Sequence, residues 1–285
     1  MPNKARELSV RVQPCAHDQT APTLVLIHGW GLNKEIWSPI SPLLCEFAQV
    51  VTIDLPGFGH SSWQAGNDQF DHACHRVMAN LAHHLNGPFY LAGWSLGGQF
   101  ATQLGLDYPT YVKKVITIAS SPCFMARDGI ATSSSVPCAQ DEAWPGIKRE
   151  TLEAFRYQLS TNFQKTLERF LAVQALGSPA AKEEIKTMRA LLASCPEPSP
   201  DALVAGLRWL AEVDLRQDLK ALQVPLVRLY GRRDSLVPIA TSAAITPFLA
   251  STMPASIQFD ASAHAPFITE ADRFVTTLRA VVCAE

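Results

Sequence analysis

The stretch Phe89-Tyr90-Leu91-Ala92-Gly93-Trp94-Ser95-Leu96-Gly97-Gly98 decides how the rest of the chain is read. Its centre is G-x-S-x-G. An apolar run leads in, and residues at helical spacing follow, from Gly98 through Ala101 to Leu104. Strand, sharp turn and helix form the context in which this pattern lifts a serine hydroxyl clear of the backbone. Glycine at 93 and 97 lets strand and helix approach without a Cβ clash. The helix N-terminus then lies under Ser95, where its dipole favours the negative charge that develops in acyl transfer.

Outward from this turn, further apolar segments have the same character. Leu24–His28, Val50–Leu55 and Val115–Ala119 join Phe89–Trp94 as continuous rather than alternating runs. Strands buried on both faces of a helix-covered parallel sheet look like this. Leu226–Tyr230 and Ser256–Phe259 are later strand candidates. Phe70, Cys74, Val77, Leu81 and Leu85 mark one apolar helical stripe, and a helix over about Ala271–Val282 closes the chain. The alternation predicts an α/β fold with a mostly parallel, doubly wound sheet. Cys123 to Leu210 breaks the rhythm with three helical patterns, Arg149–Ala175, Pro179–Ser194 and Pro200–Val213. Residues 1–122 and 211–285 are therefore expected to form the core, and 123–210 an inserted all-helical cap. Within the cap, the Ser-rich stretch Gly129–Gln140 reads as a surface loop, and Pro196–Pro200 as a stiffer break.

Composition bounds the function. The 285 residues are 47% hydrophobic and 18% charged, enough for one large domain with an insertion. A net charge of -2 supplies no bulk field for nucleic acid. The polar start Met1–Glu7 has no apolar signal region, and no run is long enough to span a bilayer. The seven cysteines (15, 45, 74, 123, 138, 195, 283) are odd in number and scattered. That pattern predicts free thiols in a reducing, cytoplasmic setting.

A serine needs a base to take its proton and an acid to orient that base. In this fold the chain order is Ser, then Asp or Glu, then His. Asp234 follows a predicted strand in Tyr230-Gly231-Arg232-Arg233-Asp234. His264 follows the last one in Ala263-His264-Ala265-Pro266-Phe267. Ser95 is thus the nucleophile, His264 the general acid–base, and Asp234 the group that fixes its tautomer. Asp260 is an alternative acid, although it shares a strand end with His264. The oxyanion needs two backbone N–H donors, expected from Leu96 and, in the loop His28-Gly29-Trp30-Gly31, from Trp30. His28 could serve as a base, but its place before the loop glycines favours a brace. His72, His75, His83 and His84 cluster without a metal-ligand pattern and are expected to be solvated. Neither a phosphate loop nor a dinucleotide fingerprint is present, so no cofactor or metal is expected.

These motifs resemble the α/β-hydrolase superfamily, through His28–Gly31, Asp54-Leu55-Pro56-Gly57-Phe58-Gly59-His60-Ser61 and Gly93–Gly98. More narrowly, several phrases resemble the pimeloyl-[acyl-carrier protein] methyl ester esterases of biotin biosynthesis. These phrases are His28–Asn33, Ala119–Phe124, Trp144–Lys148, Glu168–Ala172, Val213–Gln217 and Ala263–Phe267. The resemblance implies a serine carboxylesterase that frees pimeloyl-carrier protein and methanol. It also implies that Trp30, Ser95, Leu96, Phe170, Gln174 and His264 surround the acyl chain and ester. It places contacts with the acidic carrier protein at Lys165, Arg169, Lys182 and Lys186. Lys165 and Arg169 are one helical turn apart, and Lys182, Lys186 and Arg189 form a second basic stripe. The Ser-rich loop and the length before Leu24 depart from the family pattern. A monomer is expected. A broad short-chain carboxylesterase with no carrier partner and a C–C bond hydrolase of the same fold are the rival readings. A serine rather than a carboxylate at the elbow argues against a haloalkane dehalogenase, and the Ser–Asp–His set argues against a non-catalytic binding module.

Overall fold

In the computed structural model, residues 7–128, 143–250, 253 and 255–283 are described. The Ser-rich loop expected at 129–140 lies outside them. The chain runs β1 (Val10–Gln13), β2 (Thr23–Ile27), α1 (Ser41–Leu44), β3 (Gln49–Ile53), α2 (Phe70–Ala82), β4 (Phe89–Trp94), α3 (Leu96–Asp107) and β5 (Val112–Ile118). Four helices follow: α4 (Arg149–Thr161), α5 (Phe163–Gln174), α6 (Ala181–Ala193) and α7 (Pro200–Glu212). The chain then returns through β6 (Leu226–Gly231), α8 (Thr241–Ala244), β7 (Ile257–Phe259), α9 (Pro266–Thr269) and α10 (Ala271–Cys283).

The strands form one sheet in the order β1-β3-β2-β4-β5-β6-β7. Only β1 is antiparallel, paired with β3 through Val10 opposite Ile53. Alternate residues of one strand feed opposite layers. Leu24 and Leu26 of β2 pack with Trp37, Phe267 and Phe274, while Val25 and Ile27 pack with Phe100, Leu104 and Val77. This two-sided burial explains why the strands read as continuous apolar runs.

The strand order reverses between β2 and β4, so the loops leaving their carboxyl ends open a crevice there. Both the His28–Gly31 loop and Ser95 sit at that switch point. The chain leaves the sheet after β5 and re-enters before β6 at a narrow neck. There Cys123 pairs with Asp214, and Leu215 N–H donates to the Pro122 carbonyl (2.9 Å).

Two expectations are corrected. The pattern Arg149–Ala175 is two helices rather than one. Asn162 is extended (φ -158°, ψ 89°), and its side-chain oxygen accepts from Lys165 N–H at 3.0 Å, which ends α4 and caps α5. The apolar stripe of α2 includes Leu85, but the helix ends at Ala82, before that residue. Strand β1 had no counterpart in the expectation, because four edge residues, two of them exposed and two half-buried, carry too little apolar signal.

Candidate active site

Ser95 occupies the turn between β4 and α3 with φ 55° and ψ -121°, a conformation that ordinary L-residues avoid. Several contacts hold it there. Ser95 N–H donates to the Ile118 carbonyl (2.9 Å), and its own carbonyl accepts from Ser120 Oγ (2.7 Å) and from Gly98 N–H (2.9 Å). The two motif glycines are required by contact. A Cβ on Gly93 would collide with the Gly97 carbonyl, and one on Gly97 with the carbonyls of Ile27 and His28. Ala119, next to Ser120, also has positive φ (44°), so backbone strain is concentrated around the serine.

Asp234 and His264 are joined directly. His264 Nδ1 lies 2.7 Å from Asp234 Oδ2, with both side chains 1% exposed. The other carboxylate oxygen, Oδ1, accepts from the N–H groups of Leu236 (2.8 Å) and Val237 (3.0 Å), which fixes the carboxylate plane. His264 is held by its backbone as well. Its carbonyl accepts from the Trp94 indole at 2.7 Å, and its N–H donates to the Gln174 carbonyl at 3.2 Å. Because Trp94 precedes Ser95, the first of these bonds ties the histidine segment to the serine turn. His264 Nε2 is buried and has no hydrogen-bond partner among the described residues. With Nδ1 turned to the Asp234 carboxylate, Nε2 is the ring nitrogen left without a partner. Asp260 is directed elsewhere, toward Gln258 Nε2 (2.7 Å) and Arg273 (3.9 Å).

The His28–Gly31 loop faces the serine, and Gly29 is close enough that an added Cβ would sit 3.1 Å from Ser95 Cβ. Neither Trp30 N–H nor Leu96 N–H meets an acceptor among the described residues. As the first residue of α3, Leu96 has an N–H that no preceding turn can take up. His28 is a brace. Its Nε2 accepts from Leu55 N–H (2.9 Å), so Nδ1 carries the proton and donates to the Gly29 carbonyl (2.8 Å). Burial pushes the His28 imidazole below its usual pKa. Asp54 braces the next loop, with Lys34 Nζ at 2.6 Å and the N–H groups of Lys34 and His60 on its carboxylate.

Helices α5 and α7 roof this loop. The Trp30 ring packs edge-on against Phe170 at 4.6 Å between centroids, and its indole N–H donates to the Leu203 carbonyl (3.0 Å). Gly206 leaves room for the indole, since a Cβ there would strike it. Leu167, Phe170 and Gln174 are buried on one face of α5, and both amide atoms of Gln174 lack partners among the described residues. Ser95 is 4% exposed and His264 1%, so both side chains are buried.

The basic residues of α5 and α6 lie on the outside of the roof. A groove of about 690 Å³ runs between α4, α5 and α6, lined by Lys165, Arg169 and Arg189 together with Gln158, Asn162 and Glu168. Arg169 reaches Gln158 Oε1 (2.8 Å) and stacks over Phe155. Lys182 and Lys186 are exposed further along α6 and do not line this groove. The roles of Trp94, Ser120 and the Gln174 carbonyl were not foreseen. Each acts through a contact across the fold that spacing along the chain does not encode.

A model described as the alpha/beta hydrolase fold matches residues 22–271, so the chain belongs to the α/β-hydrolase family. Two solved structures show the same fold. An esterase from Exiguobacterium antarcticum has a TM-score of 0.80 at 20% identity, covering 97% of this chain and 96% of that one. A bromoperoxidase from Bacillus anthracis has a TM-score of 0.77 at 20% identity, covering 95% and 93%. Within the family, the chain belongs with proteins named pimeloyl-[acyl-carrier protein] methyl ester esterase. It is 41% identical to the one from Vibrio cholerae over 255 residues, covering 90% of this chain and 92% of that protein. It is 43% identical to the one from Aeromonas hydrophila over 256 residues, covering 89% and 92%.

Proposed function

We propose that this chain is a serine carboxylesterase that hydrolyses the methyl ester of a pimeloyl chain carried on acyl carrier protein, in biotin biosynthesis. The observation that carries the chemistry is the buried Asp234–His264 pair, its Nε2 unpaired, tied through the Trp94 indole to the turn that holds Ser95 at positive φ. The likeness to the named esterases supports the substrate.

Ser95 Oγ attacks the ester carbonyl carbon as His264 Nε2 takes its proton, and Asp234 balances the imidazolium. The N–H groups of Trp30 and Leu96 take up the charge on the carbonyl oxygen, helped by the N-terminus of α3. His264 then protonates the departing methanol. Water attacks the acyl-enzyme, giving its proton to Nε2, and the free acid leaves as Ser95 recovers its hydrogen. The chemistry assigned to these residues requires no cofactor.

Trp30, Leu96, Phe170 and Gln174 line the acyl slot in this reading. A thin aliphatic chain suits apolar walls with few polar groups. Residues 123–210 act as the cap, and the carrier protein docks on its basic face at Lys165, Arg169, Lys182 and Lys186. The groove at Lys165 and Arg169 supports a negatively charged partner there. The enzyme works as a cytoplasmic monomer. The cysteines of the described residues (15, 45, 74, 123, 195 and 283) are free thiols, which suits a reducing compartment.

Replacing Lys165 and Arg169 together by glutamate tests the docking surface. We expect kcat/KM for the carrier-bound methyl ester to fall by about 10–100-fold through KM, because opposing charge slows encounter and weakens the complex. Hydrolysis of a free short-chain methyl ester should stay within about threefold of the parent. Equal loss on both substrates would remove the carrier from this face. Unchanged kinetics on both would favour the short-chain esterase.

A further inference from the structure

We propose that Glu184 is a positioning residue for the His264 imidazole, acting through Thr269 and the turn between α5 and α6. The inference rests on the triad reading above. Glu184 lies on α6, whose residues Lys182, Glu183, Lys186 and Arg189 are exposed, yet its own side chain is 1% exposed. No cation pairs with it among the described residues. Its Oε1 accepts two hydroxyl hydrogen bonds, from Thr269 Oγ at 2.6 Å and from Ser178 Oγ. Thr269 belongs to α9, the helix that begins two residues after His264. Ser178 closes the α5–α6 turn and also accepts from Ala180 N–H (3.1 Å).

That turn grips the segments of both the base and the acid. The Gln174 carbonyl accepts from His264 N–H (3.2 Å), and the Gly177 carbonyl accepts from Arg233 Nη1 (3.4 Å), one residue before Asp234. Gly177 has φ 90°, and an added Cβ would sit 3.0 Å from the Arg233 carbonyl oxygen, so the position suits glycine. Glu184 thus links one end of the cap to the histidine segment at a second point.

Docking alone does not explain a carboxyl here. Burying an unpaired carboxyl is costly, and an apolar residue would pack more cheaply. Met188, one turn further on, already joins Leu171 and Ala175 in the core beside Phe267. The carboxyl adds direction, by tying together two hydroxyls, one on the α5–α6 turn that follows Gln174 and one on α9, the helix that follows His264. Displacement of a catalytic group by an ångström costs far more rate than stability.

The test uses the full chain with Glu184→Leu, Glu184→Gln and Thr269→Val, assayed on p-nitrophenyl butyrate. The downfield His264 Nδ1–H proton resonance is followed in parallel. We expect kcat to fall by about tenfold in Glu184→Leu with KM within about twofold, and a similar fall in Thr269→Val. Glu184→Gln, which keeps an acceptor at Oε1, should return kcat to within about threefold of the parent. The resonance should shift or broaden in the Leu and Val variants only. Unchanged kcat, or a loss that Gln does not rescue with the resonance unmoved, would overturn the assignment. If Glu184→Leu does not fold, Thr269→Val decides the matter. If the parent shows no Ser95-dependent hydrolysis, the triad reading fails instead, and the resonance alone then tests the positioning role.

Discussion

Ser95→Ala should lower kcat for ester hydrolysis by about 10⁶-fold while the protein stays folded. That corresponds to about 8 kcal/mol of lost transition-state stabilisation. The prediction follows from the geometry of the elbow. Ser95 is held by its backbone, through Ile118, Ser120 and Gly98, rather than by its hydroxyl. Alanine can therefore take the same turn, and at φ 55° the Cβ strain is already present in the parent. The Trp30 and Leu96 N–H groups remain, so a residual rate above water alone is expected. Denaturant unfolding should show a midpoint close to the parent, and a rate within tenfold of the parent would remove Ser95 from the mechanism.

Asp234→Asn should cost about 10⁴-fold in kcat with little change in fold. The reason is specific to the contacts of this carboxylate. Oδ1 accepts from Leu236 and Val237 N–H groups, which cannot reverse their polarity. In the Asn variant the side-chain oxygen must keep that place, so the NH₂ group faces His264 Nδ1. The imidazole then carries its proton on Nε2 and cannot accept one from Ser95. Kinetics with p-nitrophenyl butyrate near pH 8 would check this, and loss of the downfield Nδ1–H resonance should accompany it. Activity within tenfold of the parent would mean that another acid orients the ring.

The sheet, the serine turn and the Asp234–His264 pair were legible because each leaves a local signature. Strands β2 to β6 are buried on both faces, so their residues are apolar without alternation. Gly93 and Gly97 are demanded by close backbone approach, and the order of Ser95, Asp234 and His264 along the chain marks strand ends. What stayed hidden depends on contacts between distant segments. The roof over Trp30 needs Gly206 and the Leu203 carbonyl, which lie more than 170 residues away in sequence. The break at Asn162 turns on one side-chain hydrogen bond inside a pattern that is amphipathic on both sides. Glu184, among lysines on a helix, reads as a solvated charge, and only packing against Thr269 reveals it as buried.

The measurement that bears most directly on the proposed function is kcat/KM of the purified protein for pimeloyl-carrier methyl ester beside a free short-chain methyl ester. We expect the carrier-bound ester to be preferred by about 100-fold or more, as charge complementarity and a fitted acyl slot both favour it. Equal or faster turnover of the free ester would contradict the carrier-linked role and leave a general esterase built on the same triad.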